Sequence, residues 1–153
     1  MNINKKLILN IVLTIIIGVL PSVFIFKNMN DYSSLNKPPL SPPGFIFPIA
    51  WTILYILMGI SYYIVTNKKS LYTEEAKLIY GIQLVVNALW TPIFFGLKQY
   101  FLAFAWILML IVLVIFMIII FNKIDKKAAY LQIPYLLWLI FASYLNFGVF
   151  MLN

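Results

Sequence analysis

The stretch Tyr100 to Phe121, YFLAFAWILMLIVLVIFMIIIF, contains no charged residue and decides the fold class. An α-helix rises about 1.5 Å per residue, so this stretch can cross the roughly 30 Å hydrocarbon core of a bilayer. Four similar apolar stretches run from Leu7 to Phe26, Phe45 to Val65, Leu78 to Leu97 and Ala128 to Leu152. Because helices satisfy every backbone polar group within the segment itself, the sequence predicts an all-α integral membrane protein, a five-transmembrane-helix bundle that forms a single domain over residues 1–153.

The composition limits the chemistry that the chain can carry. Hydrophobic residues make up 64% of the 153 positions and charged residues 10%, far from the range of soluble globular domains. The chain has no cysteine and no histidine, which excludes disulfides, thiolate catalysis and histidine-ligated metal or haem sites. We therefore expect no metal site and no obligatory cofactor. We also find no residues for conventional hydrolytic catalysis and no ionisable group at membrane depth for a simple ion-coupled pump.

The lysines predict the orientation, because short loops rich in lysine stay on the cytoplasmic side. The amino terminus and the second and fourth loops carry Lys5, Lys6, Lys68, Lys69, Lys77, Lys123, Lys126 and Lys127, whereas the first and third loops carry Lys27, Lys37 and Lys98. This predicts an amino terminus inside and a carboxyl terminus outside, in a bacterial cell membrane. The net charge of +7 resides at these helix ends, where anionic lipid headgroups explain it better than nucleic acid does.

Aromatic, polar and small side chains recur at helical spacing on three of the spans. They are Trp51 and Tyr55 on the second span, Asn87 and Trp90 on the third, and Tyr135, Trp138, Ala142 and Leu145 on the fifth. With the orientation above, we expect these faces to line one cavity in the outer half of the bundle, suited to a large, flat, mostly apolar ligand. The alternative is that the rings form interfacial belts and the amides hold helices together.

The first loop, Lys27 to Gly44, contains the run KPPLSPPG at 37–44. Its four prolines fix φ and remove four N–H donors, so the segment is stiff. It is a possible lid over the cavity, and a rigid spacer into the second span is the alternative. We further expect Pro92 and Pro134 to kink their helices and help to open the cavity.

Three sequence blocks resemble the translocator protein and tryptophan-rich sensory protein family, TspO/MBR, once called peripheral-type benzodiazepine receptors. They are the Pro-Pro-Gly loop leading into WTILY at 51–55, the block QLVVNALWTPIFFG at 83–96, and PYLLW at 134–138 with FASYLN at 141–146. Together they span nearly the whole chain, and each is specific in order and spacing.

The resemblance implies a bundle, often a homodimer, that binds porphyrins such as protoporphyrin IX and synthetic isoquinoline carboxamides. By motif, it assigns Trp51, Asn87, Trp138, Ala142 and Leu145 to the pocket. A receptor or sensor that binds porphyrin is the first interpretation. Light- and oxygen-dependent porphyrin degradation, with Trp51 and Trp138 as the oxidisable residues, and porphyrin transport are the alternatives.

Overall fold

The computed structural model describes residues 3–24 and 33–153, and most of them are helical. The helices are α1 (Ile3–Phe24), α2 (Ile46–Thr66), α3 (Thr73–Thr91), α4 (Tyr100–Ile124), α5 (Lys126–Tyr130) and α6 (Ile133–Leu152), and a π-helical turn, Pro92–Gly96, extends α3. Within these described residues, five helical segments are long and apolar enough to cross a membrane, with α5 and α6 together forming the fifth. The predicted five-helix all-α fold is therefore confirmed.

The proline positions differ in their effect on the helices. Pro92 opens the π-helical turn, in which the N–H of Leu97 donates to the carbonyl of Pro92 at 2.9 Å. Pro134, in contrast, lies in the first turn of α6, where its missing N–H has no intrahelical partner to lose. The fifth span is interrupted directly before this proline, at residues 131–132, so that α5 and α6 are separate helices.

Glycines allow α1 to pack closely against α2. A Cβ on Gly59 would lie 2.6 Å from the Cα of Ile11, and a Cβ on Gly18 would lie 2.6 Å from the Oη of Tyr55. Only glycine permits both approaches, as is common where membrane helices pack through small residues. A hydrogen bond of 2.6 Å between Thr14 Oγ1 and Tyr80 Oη also joins α1 to α3.

One end of the bundle gathers the lysine-rich segments. Lys6 Nζ donates to Asn67 Oδ1 at 2.8 Å, which joins the start of α1 to the α2–α3 loop. Lys68 pairs with Asp125, whose side chain also accepts from the N–H of Ala128 at 3.0 Å and so caps α5. The Lys68 partner, aided by backbone donors, lowers the pKa of Asp125 below its ordinary value. We call this the lysine end.

At the opposite end, the first loop is fastened to α6. The predicted lid covered residues 27–44, of which 27–32 lie outside the described residues. We call residues 33–44 the proline loop. Asn36 and Asn153 exchange two hydrogen bonds of 3.0 and 2.8 Å. A Cβ on Gly148 would lie 2.5 Å from the Cβ of Pro38, and Tyr144 Oη donates to the carbonyl of Pro39 at 2.8 Å.

Candidate functional site

A cavity of about 600 Å³ lies in the half of the bundle opposite the lysine end. Its walls come from the second half of α1, the first half of α2, the end of α3 with the π-helical turn, the middle of α4 and the second half of α6. The volume falls within the roughly 300 to 1,000 Å³ of small-molecule pockets. The lining is mainly aliphatic and aromatic, with few polar side chains.

Seven of the eight residues singled out from the sequence lie on the wall of this cavity. They are Trp51, Tyr55, Asn87, Trp90, Trp138, Ala142 and Leu145. Tyr135 does not line it: the ring is 1% exposed, and its edge faces Trp51, with a centroid distance of 6.2 Å. Tyr135 therefore supports the wall from behind.

Asn87 connects the wall to Tyr135 through a continuous hydrogen-bond chain. Tyr55 Oη donates to Asn87 Oδ1 at 3.0 Å, and Asn87 Nδ2 donates to Tyr135 Oη at 2.8 Å. Tyr135 Oη in turn donates to Gln83 Oε1 at 3.0 Å. The chain joins α2, α3 and α6, so the alternative interpretation of the amides as helix-to-helix contacts also holds for Asn87. One N–H and one lone pair of its amide are still available to a ligand.

The four tryptophans divide into two pairs by the use of their indole N–H groups. Trp90 Nε1 donates to Asn146 Oδ1 at 3.0 Å, and Trp106 Nε1 donates to the carbonyl of Val86 at 2.8 Å. Trp138 Nε1 is buried and finds no hydrogen-bond partner among residues 3–24 and 33–153, and Trp51 Nε1 likewise makes no hydrogen bond within those ranges. Both uncommitted donors belong to cavity-wall residues.

The rings of the wall form one aromatic cluster. Trp51 stacks on Tyr55 with a centroid distance of 5.4 Å, and it meets Trp138 edge to face at 6.4 Å. Trp138 in turn meets Phe47 edge to face at 6.0 Å. Offset stacks and edge-to-face pairs are the preferred aromatic geometries, so these rings hold one another in place.

The sequence reasoning missed the wall that α1 contributes. Gly18, Val19, Ser22 and Val23 all line the cavity. The signal that could have found it is a row of polar and small residues spaced four apart in the otherwise aliphatic first span, Asn10, Thr14, Gly18 and Ser22. Gly18 and Ser22 of this row line the cavity.

The cavity opens at its α1 and α2 side. The exposed lining residues are Val19, Val23, Gly44, Pro48 and Thr52. Val19 is 42% exposed and Val23 66% exposed. The contacts between α1 and α2 at Gly18 and Gly59 lie on the side nearer the lysine end, so this opening lies beyond Gly18 along α1.

Comparison with known proteins gives a consistent result over the whole chain. The TspO/MBR family profile matches residues 10–152. The chain is 34% identical to the tryptophan-rich protein TspO of Chlorobaculum tepidum, over 98% of this chain and 99% of that protein. It is 38% identical to the tryptophan-rich sensory protein of Cereibacter sphaeroides, over 80% and 76%. It is also 34% identical to the translocator protein of Ovis aries, over 80% and 74%.

Proposed function

The chain belongs to the TspO/MBR family. From that premise we propose that it is a receptor or sensor, which binds porphyrins such as protoporphyrin IX, and similar flat apolar ligands, in its cavity. The ligand rests on Trp51 and Trp138 by ring stacking. Asn87 and the indole N–H groups supply its few polar contacts.

The division of the tryptophans carries this proposal. A buried N–H without a partner costs about 1 to 3 kcal/mol, so native proteins rarely retain one without a purpose. Trp138 carries such a group, and its ring forms part of the cavity wall. A carbonyl or carboxylate of a bound ligand would satisfy this donor once the ring turns its N–H toward the cavity. Trp51 offers a second donor from the facing helix.

The positive-inside rule orients the site within the membrane. The lysine end then faces the cytoplasm, and the cavity lies in the outer half of the bundle of a bacterial cell membrane. A homodimer is part of the same proposal.

A second candidate function is light- and oxygen-dependent porphyrin degradation. The contact between Trp51 and Trp138 favours it, since two oxidisable indoles lie 6.4 Å apart on the same wall. In this case the excited porphyrin and oxygen carry the chemistry, and the protein supplies binding and position. Transport of porphyrin is distinguished from both by net flux across sealed vesicles.

A spectroscopic titration with protoporphyrin IX tests the proposal. In the dark, we expect a saturable shift of the porphyrin absorbance band and quenching of tryptophan fluorescence. The matched control is Ala142→Phe, which adds a ring on the cavity wall and should abolish binding. Saturable binding that Ala142→Phe leaves unchanged would contradict the assignment of the cavity. Loss of the absorbance band only under light and oxygen would favour the degradation function.

A further inference from the structure

We infer that the ligand enters the cavity sideways from the outer leaflet, through the gap between α1 and α2, while the proline loop remains a fixed cap. The inference rests on the proposed function, because it concerns the route by which the same ligand reaches the same cavity. The ligand then comes from the hydrocarbon phase of the membrane. The proline loop is then a fixed cap and not the route of entry.

The proline loop is tied to α6 at three successive levels. At the outermost level, Asn36 N donates to Asn153 Oδ1 at 3.0 Å and Asn153 Nδ2 donates to the carbonyl of Asn36 at 2.8 Å. A further bond joins Asn36 Nδ2 to the carbonyl of Leu152 at 3.3 Å. Below them, Pro38 is buried against Gly148. A loop that moved away from α6 would lose all of these contacts together.

The next contacts extend this attachment to the cavity wall. Tyr144 Oη donates to the carbonyl of Pro39 at 2.8 Å. Leu35 packs against the apolar cluster that contains Phe94 and Val149, both of which line the cavity. The prolines remove backbone freedom from the same segment. The loop is thus built as a rigid cover over the outer end of the bundle.

The gap between α1 and α2 has the opposite character. All of the exposed lining residues belong to α1 or to residues 44–52, and Val19 and Val23 present apolar side chains at the opening. Both side chains are purely aliphatic, so neither can form a hydrogen bond to α2. An opening framed by valines within a membrane span admits an apolar ligand without requiring that ligand to pass through water.

Two engineered cross-links, called bridges here, test the route. The chain has no cysteine, so the maleimide reagent can react only with the cysteines that are introduced. The cap bridge joins Asn36→Cys to Asn153→Cys, and the gap bridge joins Val19→Cys to Thr52→Cys. Each is closed with a short bifunctional maleimide in lipid vesicles. Association and release of protoporphyrin IX are then measured against the same variant left unlinked, so that the effect of each substitution cancels.

We expect the cap bridge to leave both rates within about twofold and the gap bridge to slow both by about tenfold or more. Protein loaded before the gap is bridged should retain its porphyrin, which shows that the cavity itself is intact. A cap bridge that slows exchange, or a gap bridge that does not, overturns the inference.

A second readout does not depend on porphyrin. In a variant whose only tryptophan is Trp51, a brominated alkane dissolved in the bilayer should quench fluorescence before the gap bridge is closed and much less afterwards. If the unlinked variants bind no porphyrin but the gap bridge still reduces quenching by the alkane, the proposed ligand is wrong and the route is supported. Quenching that the gap bridge leaves unchanged would refute the route.

Discussion

Asn87 holds three helices together beside the cavity. Its amide accepts from Tyr55 and donates to Tyr135, so the side chain is fixed in orientation before any ligand arrives. An amide in a membrane span needs such partners, because hydrocarbon offers none. The same bonds that join the helices therefore also set the direction in which the cavity presents its polar group.

The sequence located most of the wall residues because aromatic rings and amides at helical spacing are conspicuous in an aliphatic background. It could not separate Tyr135 from its neighbours, since Tyr135 and Trp138 occupy adjacent positions on one helical face. Their difference arises from packing: Tyr135 is enclosed by Asn87 and Gln83, whereas Trp138 reaches the cavity. Side-chain contacts of this kind depend on three helices at once.

Replacing Trp138 by Phe separates a role in binding from a role in stability. Ring contacts with Trp51 and Phe47 are reduced but no hydrogen bond to a described residue is lost, so the unfolding temperature of the ligand-free protein should fall only slightly. Protoporphyrin affinity should fall by roughly tenfold or less, corresponding to about 1 kcal/mol. Thermal unfolding and fluorescence titration measure the two effects.

The matched control is Trp106→Phe, which breaks the bond to the carbonyl of Val86 away from the cavity wall. It should lower the unfolding temperature and leave affinity unchanged. If Trp138→Phe behaved like Trp106→Phe in both measurements, Trp138 would be a structural residue only.

At the scale of elements, the spans were predictable and their interruptions were not. A bilayer requires long apolar helices, and composition alone reveals them. The π-helical turn at Pro92–Gly96 and the break before α6 depend on local bonding instead. Phe94 and Phe95 line the cavity from this turn, where they pack against each other at 4.8 Å. Their placement follows from a helix widened after Pro92, a feature that hydrophobic periodicity does not report.

The contact between α1 and α2 gives a prediction at this scale. Gly18→Ala should displace either Tyr55 or α1, because the new Cβ would overlap the Tyr55 ring. We expect a loss of about 1 to 3 kcal/mol in the free energy of unfolding, with weaker porphyrin binding. Thermal unfolding in detergent and porphyrin titration provide the measurements.

Gly81→Ala is the corresponding control on α3, where an added Cβ meets nothing within 4 Å. It should be neutral or stabilise the helix by up to about 1 kcal/mol. A Gly18→Ala variant as stable as Gly81→Ala would show that α1 and Tyr55 can separate without cost.

At the scale of the whole molecule, the charges and the cavity occupy opposite ends. The lysine end is cross-connected by Lys6 to Asn67 and by Lys68 to Asp125. The other end carries the proline loop and the opening. In the proposed orientation, positive charge is retained on the cytoplasmic side during insertion, and the proposed ligand would come from the outer leaflet.

Two exposed positions test this orientation by cysteine labelling. Leu40 in the proline loop is 83% exposed, and Leu71 in the α2–α3 loop is 97% exposed. In intact cells, a membrane-impermeant maleimide should label Leu40→Cys at once and Leu71→Cys only after permeabilisation. The reverse labelling pattern would show that the orientation is opposite and that the cavity lies in the inner half of the membrane.

The glycine contact between α1 and α2 also has a mechanical consequence. Gly59 against Ile11 and Gly18 against Tyr55 hold α1 to α2 at two levels, and the bond between Thr14 and Tyr80 lies between them. Only the part of α1 beyond Gly18, about 7.5 Å to Val23 at 1.5 Å per residue, can then tilt away from α2 as a rigid rod. A tilt of about 5° there displaces Val23 by about 0.7 Å. A wider aperture therefore requires the contact between Gly18 and Tyr55 to loosen first.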